Sequence, residues 1–493
     1  MSNVRDFYKN EHVLITGGTG FLGKLLISKL LISCPEIKKI TLLIRKKGGN
    51  EVNARLKTLF DDVIFDELKK QVPEFQEKIE LVEGDCEQKH LGLSQMDRFQ
   101  ITQNVSIVFY CAANVEFTND LKSEVIANVY GATEVLHLIK YVRNLKVFIY
   151  VSSSFSNCHL PVVEEKFYEP NIHYKTLLKL TETDFLNNSE QYILGNIPST
   201  YFYSKAAAEQ AIREEGSGLP IAVFRPSAIL STWKEPVKGW TDKAFAPTAV
   251  MKSIALGQVS AILASDDVII DMVPGDFTAN ALIAIAWDVH NRYINNRLDE
   301  PRVYNYISMM DNPLKFKSFT QQIYKMVHQK PSEKATWYPV LTIQNTRFEN
   351  RFASVFRPWL MSFALQCWGR ILGYKKLDLL KHCRLYEKLM DLVDSFIQRP
   401  HIYLNDNVQE LWQSLDETDQ QTFPFHMKLI NWETYLKVYY DGILKYLIRE
   451  TNRNEDNAHK HYMKLQTLHS ILKVFLYSMA GVLACLVFFY IFW

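Results

Sequence analysis

Three glycines set between a short apolar run and a helical pattern constrain this chain more than any other feature. The stretch reads HVLITGGTGFLGKLLISKLLISC, with Gly17, Gly20 and Gly23 spaced G-x-x-G-x-x-G. HVLIT is apolar and β-branched and reads as a buried strand, and the residues after Gly20 place apolar side chains at helical spacing. A pyrophosphate needs a tight turn, a close approach of backbone and a helix N-terminus with unpaired N–H groups. Glycines supply the first two, and the strand-to-helix step supplies the third. A purely structural turn has the same composition, but this position favours a dinucleotide cradle.

The chain keeps this strand-to-helix rhythm as far as about residue 230. Residues 38–45, 78–85, 105–113, 145–154 and 219–227 are apolar, β-branched runs separated by helical patterns such as SEVIANVYGATEVLHLIKYV. Alternation of this kind predicts an α/β fold with a doubly wound parallel sheet of Rossmann type. Near-continuous apolar strands match a sheet covered on both faces. From about residue 280 the pattern turns helical and rich in Trp, Phe and Arg. The expected organisation is a nucleotide-binding domain over 1–280, with substrate-binding elements from about 230. A helical domain over 281–450, a polar linker over 451–473 and an apolar C-terminal helix over 474–493 complete it.

That last segment, VFLYSMAGVLACLVFFYIFW, runs twenty residues without a charge. At about 1.5 Å per residue it spans about 30 Å, the thickness of a bilayer core. Lys464 and Lys473 precede it, which places the body on the cytosolic side. The expectation is a tail anchor inserted after synthesis, in the endoplasmic reticulum more readily than the peroxisome. A second apolar segment, residues 354–376, is too short to span and reads as core, an interfacial helix or an acyl-pocket wall. His459 and His461 read as solvated linker rather than metal ligands.

Composition narrows the function classes. Of 493 residues, 47% are hydrophobic and 22% charged, an ordinary globular balance, and the net charge of +2 argues against nucleic-acid binding. Aromatics at 13% suit large apolar pockets or membrane contact. The seven cysteines (34, 86, 111, 158, 367, 383 and 485) form no C-x-x-C pair, so neither a disulfide framework nor a zinc site is expected. The N-terminus lacks the apolar core of a secretory signal.

The chemistry gathers at strand ends. After the second strand come Arg45, Lys46 and Lys47, where an enzyme selecting the unphosphorylated cofactor places an acid. A guanidinium there suits a 2′-phosphate and favours NADPH. Asp85 ends the third strand, where it can accept from adenine, and Cys111, Ala112 and Ala113 end the fourth, small enough for a dinucleotide to lie close. Ser152, Ser153 and Ser154 come after the fifth strand. STYFYSKAAAEQ then sets Tyr201 and Lys205 at i, i+4, on one helix face. A carbonyl that receives hydride becomes an alkoxide and needs a proton aimed at it. Tyrosine is a poor donor at neutral pH unless an ammonium lowers its pKa, which is the expected role of Lys205. Tyr203, two residues from Lys205, faces elsewhere.

These residues resemble those of the fatty acyl-CoA reductases, a membrane-associated branch of the extended short-chain dehydrogenases. TGGTGFLGK resembles T-G-x-x-G-F-L-G-K, and SCPEIKKITLLIRKK comes next as in that family. EGDCEQKHLGLS resembles G-D-x-x-x-x-x-L-G-L-S, and YCAANVEF resembles H-x-A-A-x-V-x-F. NVYGATEVLHL resembles N-V-x-G-T-x-x-x-L, TYFYSKAAAE resembles T-Y-x-x-[ST]-K-x-x-x-E, and RPSAI and GWTD also fit. The resemblance implies a catalytic Tyr201 and Lys205, with Ser153 as the carbonyl-binding hydroxyl and Ser152 and Ser154 still open. It implies cofactor contacts from Thr16, Gly17, Gly20, Phe21, Leu22, Gly23, Arg45, Asp85, Cys111, Ala112, Ala113, Tyr201, Lys205 and Pro226. Two departures stand out: VSSSFSN replaces V-S-T-A-Y-x-N, and DMVPGDFTAN carries Gly275 in place of valine.

The implied reaction is reduction of a long-chain acyl-CoA thioester to a primary alcohol by two NADPH, through an aldehyde. Three other readings stay open: a membrane-bound dehydrogenase acting on a sterol or nucleotide sugar, a cofactor-binding protein without turnover, and a reductase that stops at aldehyde. The resemblance names no oligomeric state.

Overall fold

The computed structural model describes residues 3–46, 51–114, 120–244, 246–259, 261–263, 268–340, 342–344 and 401–492. They belong to two compact units. One is drawn from Met1–Asp242, Ile269–Leu314 and Arg399–Tyr439, the other from Lys243–Val268, Lys315–Gln398 and Tyr440–Trp493. The division therefore does not follow a single cut near residue 280. Residues 354–376 lie outside the described residues, as do Lys47 and the VEF of YCAANVEF.

The first unit is built on a seven-stranded parallel sheet. Its strands are β1 (His12–Thr16), β2 (Lys39–Ile44), β3 (Ile79–Glu83), β4 (Ile107–Tyr110), β5 (Val147–Val151), β6 (Ile221–Pro226) and β7 (Arg302–Tyr306). They lie in the order β7-β6-β5-β4-β1-β2-β3. Every neighbouring pair is parallel. The order reverses between β1 and β4, so the ends of these two strands frame the crevice where such sheets bind ligands. The first six strands fall where the apolar runs predict them. The seventh, RVYNY, comes from a stretch read as helical; Arg302 and Asn305 interrupt its apolar run, and it pairs with β6, Tyr306 opposite Pro226.

Four helices position the site: α1 (Phe21–Ser33), α2 (Gly131–Ile139), α3 (Thr200–Glu215) and α4 (Gly275–Ile294). Helix α1 packs on α4, and α3 on α2. Leu25, Leu26, Ile27 and Leu30 of α1 are essentially buried, each contributing about 1.5–3 kcal/mol by leaving water. The unusual Gly275 has a packing reason. A Cβ there would lie 2.8 Å from Leu25 Cδ1 and 2.9 Å from Phe21 Cε1, so the missing side chain makes room for α1.

In the second unit, α5 (Phe316–Gln329) presents Phe316, Phe319, Ile323, Met326 and Val327 to its core. The chain ends in α6, Glu455–Phe492. Residues 455–473 are thus the first turns of a continuous helix, not a loose linker, and they are docked. Ala458 is fully buried, a ring nitrogen of His461 lies 2.8 Å from the Ala335 carbonyl, and Trp337 Nε1 donates to His469 Nδ1 at 3.2 Å. Beyond Lys473 the described side chains stand exposed, Phe488 and Ile491 by more than half. Among the described residues, α6 is the one helix long and apolar enough to cross a membrane.

Candidate active site

The glycine turn is built as its spacing predicts. Gly17 adopts φ +71°, a left-handed conformation in which L side chains are strained, and a Cβ there would strike Ala112 N at 2.6 Å. A Cβ at Gly23 would meet Gly17 O at 2.3 Å, so α1 can rise this close to β1 only with glycine there. A Cβ at Gly20 would meet only Gly17 O within 4 Å, which leaves open space in front of the turn. Gly20 caps α1 with no side-chain hydrogen bond, so the first-turn N–H groups, those of Phe21 and Leu22 included, have no side-chain acceptor. This cradle fits a pyrophosphate.

Two of the expected contact residues also do structural work. Thr16 is fully buried and its hydroxyl accepts from Ala112 N at 3.2 Å, tying the end of β4 to that of β1. The Phe21 ring stacks on Trp240 at 5.1 Å between centroids, nearly parallel. Lys24 completes that corner, donating to Asp62 at 2.7 Å and Asp242 at 3.0 Å.

At the end of β2, Arg45 donates to Glu87 at 2.9 Å and lies 3.8 Å from Asp85. Asp85 also accepts from Glu87 N at 3.1 Å, which fixes it in a local turn. A residue that sequence reasoning missed stands here. Arg55 bonds the Arg45 carbonyl, and its Nη2 donates to Thr19 of the glycine turn at 3.1 Å. Burial and then the neighbouring Arg45 charge lower its proton affinity, so two guanidiniums converge beside the cradle. Nothing in the pattern of helix 52–60 distinguishes Arg55 from a solvated surface residue.

The catalytic candidates meet at the carboxyl edge of β5. Ser199 caps α3 by accepting from Tyr201 N at 3.2 Å, which sets Tyr201 in the first turn and Lys205 one turn later. Lys205 Nζ donates to the Val151 carbonyl at 2.8 Å and lies over two aromatic rings, Tyr150 at 4.8 Å and Tyr201 at 5.9 Å. Burial lowers its pKa to about 8, against opposing pulls from Cys111, Glu124 and Glu209. The Tyr201 phenol is pushed up, first by burial and then by the Glu124 charge, the direction opposite to the lowering expected from Lys205.

The three serines separate cleanly. Ser152 donates to Glu209 within a buried network and has no proton left for a carbonyl. Ser153 accepts from Phe155 N at 3.2 Å and keeps its own proton. Ser154 is fully buried, with a hydroxyl that has no partner. Beneath them Glu209, one turn beyond Lys205, accepts from Arg225 Nε at 2.9 Å and from Ser156 at 3.2 Å. Arg225 and Glu209 are both essentially unexposed. Pro226 comes next, at the end of β6, and is buried. At the end of β4, Cys111 and Ala112 are half-buried and Ala113 is exposed; burial pushes the Cys111 thiol up to about 12. Sequence reasoning also passed over Asn128, whose amide donates to Glu124 at 2.7 Å and Ser204 at 2.9 Å from a π-helical stretch, Val125–Tyr130. Among the described residues no cluster of three or more metal-ligating side chains occurs.

Comparison with known proteins decides the family. A nucleotide-binding family model described as male sterility protein matches residues 15–282, and a second model of that description matches 357–450. The Drosophila melanogaster fatty acyl-CoA reductase wat is 32% identical over 490 residues, 98% of this chain and 94% of that protein. The chain belongs to the fatty acyl-CoA reductase family. Human fatty acyl-CoA reductase 1 is 29% identical, covering 95% of this chain and 90% of its own. The terminal reductase domain of the myxalamid pathway shares the fold, with TM-score 0.58 at 16% identity over 90% of this chain and 92% of its own. A reductase domain of a Mycobacterium tuberculosis peptide synthetase does so at TM-score 0.57 and 19% identity, over 90% and 92%. As a member of the fatty acyl-CoA reductase family, the protein is an oxidoreductase dependent on a nicotinamide cofactor.

Proposed function

We propose that the protein reduces long-chain acyl-CoA to the primary fatty alcohol and free CoA, using two NADPH and passing through an aldehyde. The observation that carries this reading is that α3, which bears Tyr201 and Lys205, packs on the serine turn, with Lys205 donating to the Val151 carbonyl at the sheet edge that also bears the glycine cradle. The choice of NADPH rests on Arg45 and Arg55, whose guanidiniums would hold a 2′-phosphate.

When bound, NADPH supplies the hydride. The chain's own residues manage the oxygen and its proton. Tyr201 and Ser153 donate to the thioester carbonyl oxygen, and as charge develops there the Tyr201 proton moves to it. The resulting hemithioacetal collapses to aldehyde and expels CoA as its thiol. A second reduction repeats the proton transfer on the aldehyde. Lys205 restores the tyrosine proton. The proposal extends to a single span of α6 with the catalytic unit in the cytosol, supported by the exposed apolar turns after Lys473.

The test uses membranes bearing the full chain, labelled palmitoyl-CoA and NADPH, with lipid products and free thiol followed together. Fatty alcohol matched by CoA release, with two NADPH oxidised per alcohol, is the expected result. Aldehyde alone would end the alcohol reading, and absence of thiol release across several chain lengths would end the acyl-CoA reading.

A further inference from the structure

Beside the catalytic pair lies a carboxylate that the reaction above leaves without a task. Glu124 closes the short helical turn Leu121–Glu124, is fully buried, and leads into the π-helical stretch Val125–Tyr130. A buried acid costs free energy unless something holds it. Here Asn128 Nδ2 donates to Glu124 Oε2 at 2.7 Å and to Ser204 Oγ at 2.9 Å, and Ser204 in turn donates to the Tyr201 carbonyl at 2.8 Å. Both partners of the amide accept, so its orientation is fixed by chemistry. The carboxylate is thereby latched to the turn of α3 that carries Tyr201, and α3 packs directly on both the Glu124 turn and the π-helical stretch.

The other charged and titratable groups nearby are placed differently. On α3, Lys205 faces the site and Glu209 is neutralised by Arg225. Cys111 and Tyr150 flank Lys205 from the ends of β4 and β5. On its own segment, Asp120 caps the turn through Ser123, and Lys122 lies 3.9 Å from Asp184. Glu190 accepts from Leu121 N at 3.1 Å. The charge of Glu124 acts on Tyr201 and Lys205 alike, raising the proton affinity of each.

We propose that Glu124 is a positioning acid that keeps the Tyr201–Lys205 pair loaded with protons, so that the site gives a proton to a nascent alkoxide more readily than it takes one from an alcohol. When the Tyr201 O–H bond breaks and the alkoxide O–H bond forms, a phenolate is left facing the Glu124 charge. That repulsion drives transfer of a proton from the Lys205 ammonium to the phenolate, and solvent then reprotonates the lysine. The inference rests on the reductase reading.

The test is the pH profile of kcat for acyl-CoA reduction, with KM and NADPH affinity measured alongside, in membranes bearing full-length wild type, Glu124→Gln, Glu124→Ala and Glu124→Asp. A wild type without thiol release would dispose of the reductase reading itself, separately from the role of Glu124. Given an active wild type, Gln and Ala should both move the alkaline limb of kcat down by about one pH unit, with KM and NADPH affinity within about twofold of wild type. Asp, which keeps the charge, should restore most of the wild-type profile. Gln and Ala profiles that superimpose on wild type would overturn the proposal. So would a loss of equal size in all three variants at every pH, which is the signature of packing rather than charge.

Discussion

At Lys205 the fold sets two demands against each other. The amine must sit in a dry site to serve Tyr201, yet dryness favours its neutral form, and burial lowers its pKa to about 8. The ammonium exists below that value, so reductase activity should be flat through neutrality and fall as pH rises through about 8. A limb lying instead near the ordinary lysine value would show that Lys205 is not the titrating group. Tyr201→Phe should cut turnover by about 10²–10⁴-fold while NADPH affinity stays near normal. Retention of half the activity would remove Tyr201 as proton donor. Ser153→Ala should lower kcat and cost only its capping bond to Phe155 N, about 0.5–2 kcal/mol of stability. Ser152→Ala, which empties a site on the buried Glu209, should chiefly lower the melting temperature. The Tyr-x-x-x-Lys spacing was legible because a helix puts i and i+4 on one face. Which of three adjacent serines gives its proton away within the fold was not, since Ser152 does so to Glu209, more than fifty residues away in the chain.

Between elements, the pair formed by Glu209 of α3 and Arg225 of β6 joins helix to sheet directly beneath the serine turn. Removing one partner leaves a buried charge uncompensated, so Glu209→Ala should cost about 3–5 kcal/mol of unfolding free energy, read by denaturant titration. An effect under about 1 kcal/mol would mean that water reaches Arg225. The glycine turn is as demanding, because Gly17 combines a positive φ with backbone contact to Ala112. Strands β1 to β6 were readable from apolar runs, since a parallel sheet buried on both faces needs them. Strand β7 was not, because Arg302 and Asn305 break its apolar run. The guanidinium pair was half legible. Arg45 comes directly after a strand and so has a predictable position, whereas Arg55 reaches the glycine turn through the fold alone.

For the whole molecule, the decisive feature is the exposed apolar length of α6. Truncation before residue 474 should release the protein from membranes, measured by carbonate extraction and flotation. Persisting association would assign membrane contact to another segment. Sequence composition announced this helix but misjudged its root. Hydrophilic residues 455–473 look like a loose tether, yet on one face they carry Ala458, Tyr462 and Leu465 into contact with their own unit. In the span proposed for α6, the joint at Trp337 and His469 would therefore couple bilayer geometry to protein structure. A helix that meets a hydrocarbon layer thicker or thinner than itself tilts to match it. A tether would absorb that tilt in its slack. In the single span proposed for α6, a docked root would turn that tilt into torque on residues 335–338, and membrane thickness would become a mechanical input.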